Sequence, residues 1–275
     1  MTMPTQEWSH IWHHAQLDVR LLHAFHVQHA YARHSHDYYV ICLIEQGRQS
    51  FIHKGGKQYT PPGGVILINP DEMHTGEAAD AHGFQMRSLY PTAAHMQTAV
   101  SELTGHAHPL PFFKNVRVDQ EWVRASILNV HKALVEGASA LEVESRFIWT
   151  LTQLIKHYAD LCFSERRLSK EPKAIQQARQ IIEEGFDQGI SLTQLAEQVA
   201  LSPYYLLRAF RAEVGMPPHA YLESVRIRHA QQLIAAGKPL AEVAADVGFS
   251  SQSHLSNRFK QLIGVTPGQY ARGCY

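Results

Sequence analysis

Three histidines stand where side chains could bind something, in a chain that carries 19 of them among 275 residues. His34-Ser35-His36 begins a strand-like run, and histidines at i and i+2 of a strand project to one face. His74 closes the segment Asn69-Pro70-Asp71-Glu72-Met73-His74, which follows the apolar run Val65–Ile68. Brought together from neighbouring strands, the three imidazoles are either a facial metal set or the polar wall of a ligand pocket. Tyr38 and Tyr39 follow closely enough to line the same pocket or to pack in a core. His10, His13 and His14 near one end, and His106 and His108 beside a proline, read as surface. Cys42, Cys162 and Cys274 form no CxxC pair, so no disulfide framework is expected and a reducing cytosol is the default. No nucleophile–base motif or phosphate loop offers a route to enzymatic catalysis.

A second chemistry lies in the rear of the chain, where the sequence repeats. Leu195-Ala196, Val199 and Ser202 recur 48 residues later as Val243-Ala244, Val247 and Ser250. Beyond those serines Leu206, Phe210, Arg211, Val214, Gly215, Pro218 and Tyr221 recur at a spacing of 49 as Leu255, Phe259, Lys260, Ile263, Gly264, Pro267 and Tyr270. Each copy reads as a short helix, a tight turn at Ala200-Leu201 or Gly248-Phe249, and a second helix opened by a serine cap and ended by glycine. That is a helix-turn-helix, twice. With about 100° per residue, Tyr204 and Arg208 lie about 160° from the apolar Leu206 stripe. Arg211 falls near the same side. In the second copy Ser253, Asn257 and Lys260 point away from Leu255 and Phe259, with Ser251, Gln252, His254 and Ser256 alongside. Arginine, asparagine and glutamine suit base edges in the major groove, and lysine suits phosphate. The expected DNA-facing set is Tyr204, Leu207, Arg208, Arg211, Ser251, Gln252, Ser253, His254, Ser256, Asn257 and Lys260.

The elements that must position these groups follow from pattern. Val40–Ile44, Gln49–His53 and Val65–Ile68, separated by glycine- and proline-rich turns, predict short strands of a sandwich or barrel. Glu121–Leu134 and Leu141–Phe163 carry helical periodicity; the stripe Phe147, Leu151, Leu154, Ile155 and Tyr158 suits either dimerisation or packing on the barrel. Ser164–Lys173 reads as a linker. Charge changes there too: residues 1–165 hold 12 basic and 16 acidic side chains, residues 166–275 hold 13 and 9, so a formal net charge of zero is a cancellation. That balance excludes a strongly basic nucleic-acid wrapper. No signal peptide and no apolar run of membrane-spanning length is present, which suggests a soluble cytoplasmic chain.

Residues from about 174 to 272 resemble the AraC/XylS family of bacterial transcription regulators. The resemblance rests on Ser191–Ala196, Gly215–Tyr221, Val247–Leu255, Phe259-Lys260, Gly264–Pro267 and Tyr270. It implies two helix-turn-helix units on a connecting helix, His219 to Ala236, entering successive major grooves of double-stranded DNA. Asn257 stands where many members carry arginine, which shifts second-site recognition toward Gln252, His254 and Ser256. Arg226 and Arg228 on the connecting helix are left between phosphate contact and internal salt bridges.

The front resembles a cupin barrel in its His-x-His spacing, although Val40 replaces the acidic ligand and His74 is displaced by one residue. It also resembles the sensor domain fused to many such regulators, in which an Asn-Pro-x-Glu-x-His segment recurs without metal. His34, His36, Tyr38 and His74 are accordingly expected to contact a small-molecule effector, with His34, His36 and His74 the candidate metal ligands and no cofactor expected. The expected fold is α+β in two domains: a cupin-like β-barrel with a helical dimerisation segment at 1–165, a linker at 166–173, and an all-α double helix-turn-helix at 174–275. The function this implies is an effector-controlled DNA-binding regulator, an activator rather than an enzyme, acting as a homodimer and touching RNA polymerase. The alternative is a metal-dependent cupin enzyme with a helical appendage.

Overall fold

A computed structural model describes residues 6–15, 17–161, 168–169 and 171–273. Cys162, Cys274 and, of the expected linker, residues 164–167 and 170 lie outside them. The chain divides into two compact units: Met1–Lys132 with Ile148–Arg166, and Ala133–Phe147 with Arg167–Tyr275.

The first unit is built from ten short strands: β1 (Trp8–His14), β2 (Val19–His26), β3 (Tyr31–His34), β4 (Val40–Gly47), β5 (Gln49–His53), β6 (Gly56–Thr60), β7 (Val65–Ile68), β8 (His74–Ala78), β9 (Phe84–Tyr90) and β10 (Arg117–Val118). They form two antiparallel sheets, ordered β1-β2-β9-β4-β7-β10 and β3-β8-β5-β6. Between the sheets Val40, Cys42, Ile44, Phe51, Ile66, Ile68, Phe84 and Met86 form a buried apolar cluster. Alternate residues of β4 and β7 supply it, as the period-two geometry of a strand requires. The helices α1 (Ala93–Thr104), α2 (Glu121–Val135) and α3 (Ala140–Tyr158) follow. Leu151, Leu154 and Ile155 of the α3 stripe are fully buried within the chain, so packing already occupies the face that could have dimerised.

The second unit takes the start of α3 and then α4 (Pro172–Glu184), α5 (Leu192–Gln198), α6 (Pro203–Val214), α7 (Pro218–Ala235), α8 (Leu240–Asp246), α9 (Gln252–Ile263) and α10 (Pro267–Gly273). The pairs α5–α6 and α8–α9 are the two repeated units. Ser191 and Gln194 close a reciprocal capping box at the start of α5. Glycines 215 and 264 end α6 and α9 in the left-handed region, at φ 84° and 88°. The cap of α9 is Ser251, whose hydroxyl accepts the His254 N–H, rather than Ser250. The change of spacing from 48 to 49 is therefore one extra residue in the second turn, which restores register with Ser202 at the head of α6. At Ser202 the side chain makes no capping bond, and Pro203 starts the helix instead.

The barrel pocket and the two repeated helices

Strand pairing brings the histidines together. In the β3–β8 ladder His34 lies directly opposite His74, and the rings sit 4.5 Å apart between centroids. His36 is two residues past the end of β3, where the chain crosses toward β4; it is not on a common strand face with His34, as the i, i+2 reading had it. The crossing still carries its ring to 5.0 Å from His74 and 5.7 Å from His34. One ring nitrogen from each of the three lies within 4.8 Å of the others.

Their backbones hold the rings in one protonation pattern. Nδ1 of His34 donates to the Ala32 carbonyl at 2.7 Å, that of His36 to Tyr38 at 2.9 Å, and that of His74 to Glu72 at 2.9 Å. A carbonyl can only accept, so each neutral ring has its proton on Nδ1 and its lone pair on Nε2. Burial pushes the His74 imidazole down to about 4, with the neighbouring imidazoles adding to the effect. His36 moves the same way for the same reason.

The triad opens on a cavity of about 140 Å³. Tyr38 stacks on His36 at 4.3 Å and meets Tyr90 edge-on. Tyr31, Gln49 and Ser88 add polar groups, while Phe51, Ile66, Ile68 and Met86 make the apolar floor. Burial raises the Tyr31 hydroxyl and the Cys42 thiol to about 12, so both stay protonated. Gln49 and Ser88 were not singled out in the sequence, where each is one of several polar residues in its strand. Tyr39 instead points into the core, its hydroxyl donating to the Pro111 carbonyl.

The two repeated helices present different surfaces. On α9, Ser251, Gln252, Ser253, Asn257 and Lys260 are exposed, over buried Leu255 and Phe259. His254 and Ser256 are half-buried, and His254 sits edge-on to Phe249. On α6, Tyr204 and Leu207 are buried, at 1% and 2% exposure, which removes both from the expected DNA-facing set. Six of the twelve α6 residues are buried, so the apolar arc is wider than the Leu206–Phe210 stripe alone. Arg208 lies half-buried with its guanidinium 5.5 Å from the Tyr204 ring, and Arg211 is exposed.

An ion cluster fixes α9. Arg258 pairs with Glu142 at 2.9 Å and with Glu223 at 3.0 Å, and Arg146 pairs with Glu142 at 2.8 Å. Burial and the neighbouring Glu142 push Glu223 up to about 7. Helical periodicity alone placed Arg258 nowhere in particular. Arg226 is buried and donates to the carbonyls of Phe186 and Gln188 at 2.7 and 3.3 Å, and among the described residues it makes no ion pair of the kind the sequence suggested. Arg228 is exposed.

Comparison with known proteins matches two separate stretches, the first of which runs through the Ala133–Phe147 segment that packs with the helical unit. Residues 16–151 match the family model of the AraC-like ligand binding domain, and residues 195–273 match that of a helix-turn-helix domain. The HTH-type transcriptional regulator YbfI of Bacillus subtilis (strain 168) is 32% identical over 228 residues, covering 82% of this chain and 81% of its own. The probable transcriptional regulator LumQ of Photobacterium leiognathi is 34% identical over 238 residues, 86% of this chain and 90% of its own. The transcriptional activator RhaS of Klebsiella pneumoniae (strain 342) is 26% identical over 253 residues, 90% and 89% of the two chains.

Proposed function

From the membership of this chain in the AraC/XylS family of transcription regulators we infer that it activates transcription in response to a small molecule held in the barrel cavity. The observation that carries the DNA half is the exposed polar face of α9, Ser251 to Lys260, set over a buried Leu255–Phe259 stripe and opened by a capped N-terminus. A helix N-terminus with exposed serine and glutamine, and with asparagine on the same face, suits entry into a major groove, base edges falling to Gln252 and Asn257 and phosphate to Lys260. Arg208 and Arg211 of α6 remain the contacts proposed for the first copy.

The effector half is supported by the cavity between the sheets, whose polar groups converge on one end of an apolar floor. A ligand there acts by shifting populations of states that bind DNA or RNA polymerase differently. Activation is proposed by likeness to the RhaS relatives. A homodimer is proposed because one polar reader on a half with 13 basic and 9 acidic groups is a modest source of affinity, which a second copy on an adjacent half-site multiplies.

The test is a gel-shift titration of the full chain on the DNA upstream of its own coding sequence. Gln252→Ala or Asn257→Ala is expected to weaken specific binding by about 1–3 kcal/mol and relax preference at one base pair, and Lys260→Ala to lower the salt slope by about one. Unchanged specific binding in the double variant Gln252→Ala/Asn257→Ala would reject α9 as the reader.

A further inference from the structure

We propose that His34, His36 and His74 hold one divalent transition-metal ion in the barrel cavity, and that this ion binds the effector through an anionic oxygen donor. The ion half stands on the geometry of the barrel alone; the effector half rests on the regulator reading given above.

The three imidazoles are tethered in the way that ligation demands. Each Nδ1–H is tied to a backbone carbonyl, at 2.7–2.9 Å, which turns the basic Nε2 into the available donor. A hydrogen bond on the far nitrogen is what orients a metal-bound histidine and raises its basicity. Among the described residues none of the three Nε2 atoms takes part in a hydrogen bond. Histidines that serve only as core packing do not need three matched tethers around one point. One ring nitrogen from each of the three lies within 4.8 Å of the others, whereas ligand atoms in a tetrahedral shell with bonds of ~2.1 Å lie about 3.4 Å apart, so the rings must move before the Nε2 atoms close on an ion. Imidazole donors suit Zn, Cu, Fe and Ni over Mg or Ca.

The missing carboxylate says what the ion does. Three neutral ligands leave the full double charge on the metal, and among the described residues lining the cavity there is no Asp, Glu, Lys or Arg. No cationic side chain is in the lining, Arg20 standing behind the Tyr38 ring at 4.8 Å, so for an anion inside the cavity the ion supplies the direct attraction. Val40 stands where an acidic ligand would have cancelled half of that charge. The occupant that fits is a small molecule with a carboxylate or similar oxyanion at one end and an apolar body against Phe51, Ile66, Ile68 and Met86.

The full-length chain, stripped with a chelator, is titrated with Co2+ and followed by its visible d–d absorbance, with metal content measured after dialysis. One Co2+ per chain is expected, displaceable by Zn2+. His36→Gln and His74→Gln should each weaken it at least about tenfold, while His13→Gln in exposed β1 changes nothing. The partly exposed His36 keeps the test valid should the buried His74 variant fail to fold. Equal Co2+ binding in wild type and His34→Gln/His36→Gln, or no stoichiometric ion in the wild type, overturns the site. Acetate or azide added to the Co2+-loaded chain should change the spectrum; no change overturns the anion half and leaves the ion. Gel-shift of the metal-free chain on its upstream DNA reports separately on the regulator reading.

Discussion

The two helix-turn-helix copies share a scaffold and differ in what they show. At a spacing of 49, Tyr204 corresponds to Ser253, Leu207 to Ser256, Arg208 to Asn257 and Ala209 to Arg258. The buried stripe Leu206–Phe210 and its counterpart Leu255–Phe259 are equivalent, as are the glycines that end the two helices. Around that stripe α6 adds Tyr204, Tyr205, Leu207 and Ala209 to the buried set, whereas α9 adds nothing. One copy is thus held by apolar contact on most of its circumference. The other is held by a narrow stripe and by Arg258, which leaves most of its surface for another molecule. A repeat in sequence therefore preserves what makes a motif fold, and divergence at the remaining positions decides how much surface each copy exposes.

The sharpest way to break this comparison is Arg258→Ala. It takes from the half-buried Glu223 its arginine partner and leaves Glu142 with Arg146 alone, and should cost about 3–5 kcal/mol, read as a fall in urea midpoint by far-UV circular dichroism. Loss below 1 kcal/mol would mean that the ion cluster does not anchor α9. Next comes Leu207→Ala, expected to cost about 2–5 kcal/mol without altering base preference, while Ser256→Ala at the equivalent place stays within about half a kcal/mol in stability. A changed base preference in Leu207→Ala would restore α6 as an equal reader.

The turns provide a smaller contrast. Gly248 has φ 78°, and a Cβ there would lie 2.6 Å from the Asp187 carbonyl and 2.8 Å from the Arg226 guanidinium. Gly248→Ala should cost about 1–3 kcal/mol. Ala200 holds the corresponding turn at φ 54° without glycine, so Ala200→Gly should be neutral or stabilise by up to about 1 kcal/mol. Thermal melts of the two variants moving in the same direction would refute the asymmetry.

Acid should separate the barrel from both copies by the smallest margin. Burial depresses His131 to about 3 and His74 to about 4. Groups lowered in the folded state contribute stability that is complete above about pH 6.5 and lost as pH falls toward those values. In the helical unit the buried His219, lowered to about 4, is opposed by Glu223, raised to about 7, whose contribution is lost in the other direction, as pH rises. Trp8, Trp12, Trp122 and Trp149 all belong to the barrel unit. From pH 7 to 5, tryptophan fluorescence should therefore report a melting temperature lower by about 2–8 °C, with a smaller change in helix signal.

Much of this architecture was readable from residues. The expected strand Val40–Ile44 lies within β4, which runs on through the Gln46-Gly47 pair expected to turn, and Gln49–His53, Val65–Ile68 and the paired helices stand where pattern placed them, because glycine turns and four-residue apolar steps are local signals. Strands such as Trp8–His14 and Gly56–Thr60 carry mixed polar residues on edges and show no alternation strong enough to read. The meeting of His34 with His74 depends on ladder register across 40 residues of sequence. Tyr204, an aromatic with a polar tip, was assigned by angle, and Leu207 was expected beside it; angle gives a side and says nothing of how wide the buried arc is.

The helical unit borrows Ala133–Phe147 from ahead of the barrel's last segment, and this bears on how such regulators can be recombined. A hybrid joined at residue 174 would transplant Arg258 without Glu142, and would take the Thr193 N–H without the Glu144 carboxylate that accepts it at 2.9 Å. The reading module is portable only together with a fifteen-residue segment that a linear cut assigns to the other parent. Exchange between relatives is then constrained to parents whose α3 begins with the same two acids.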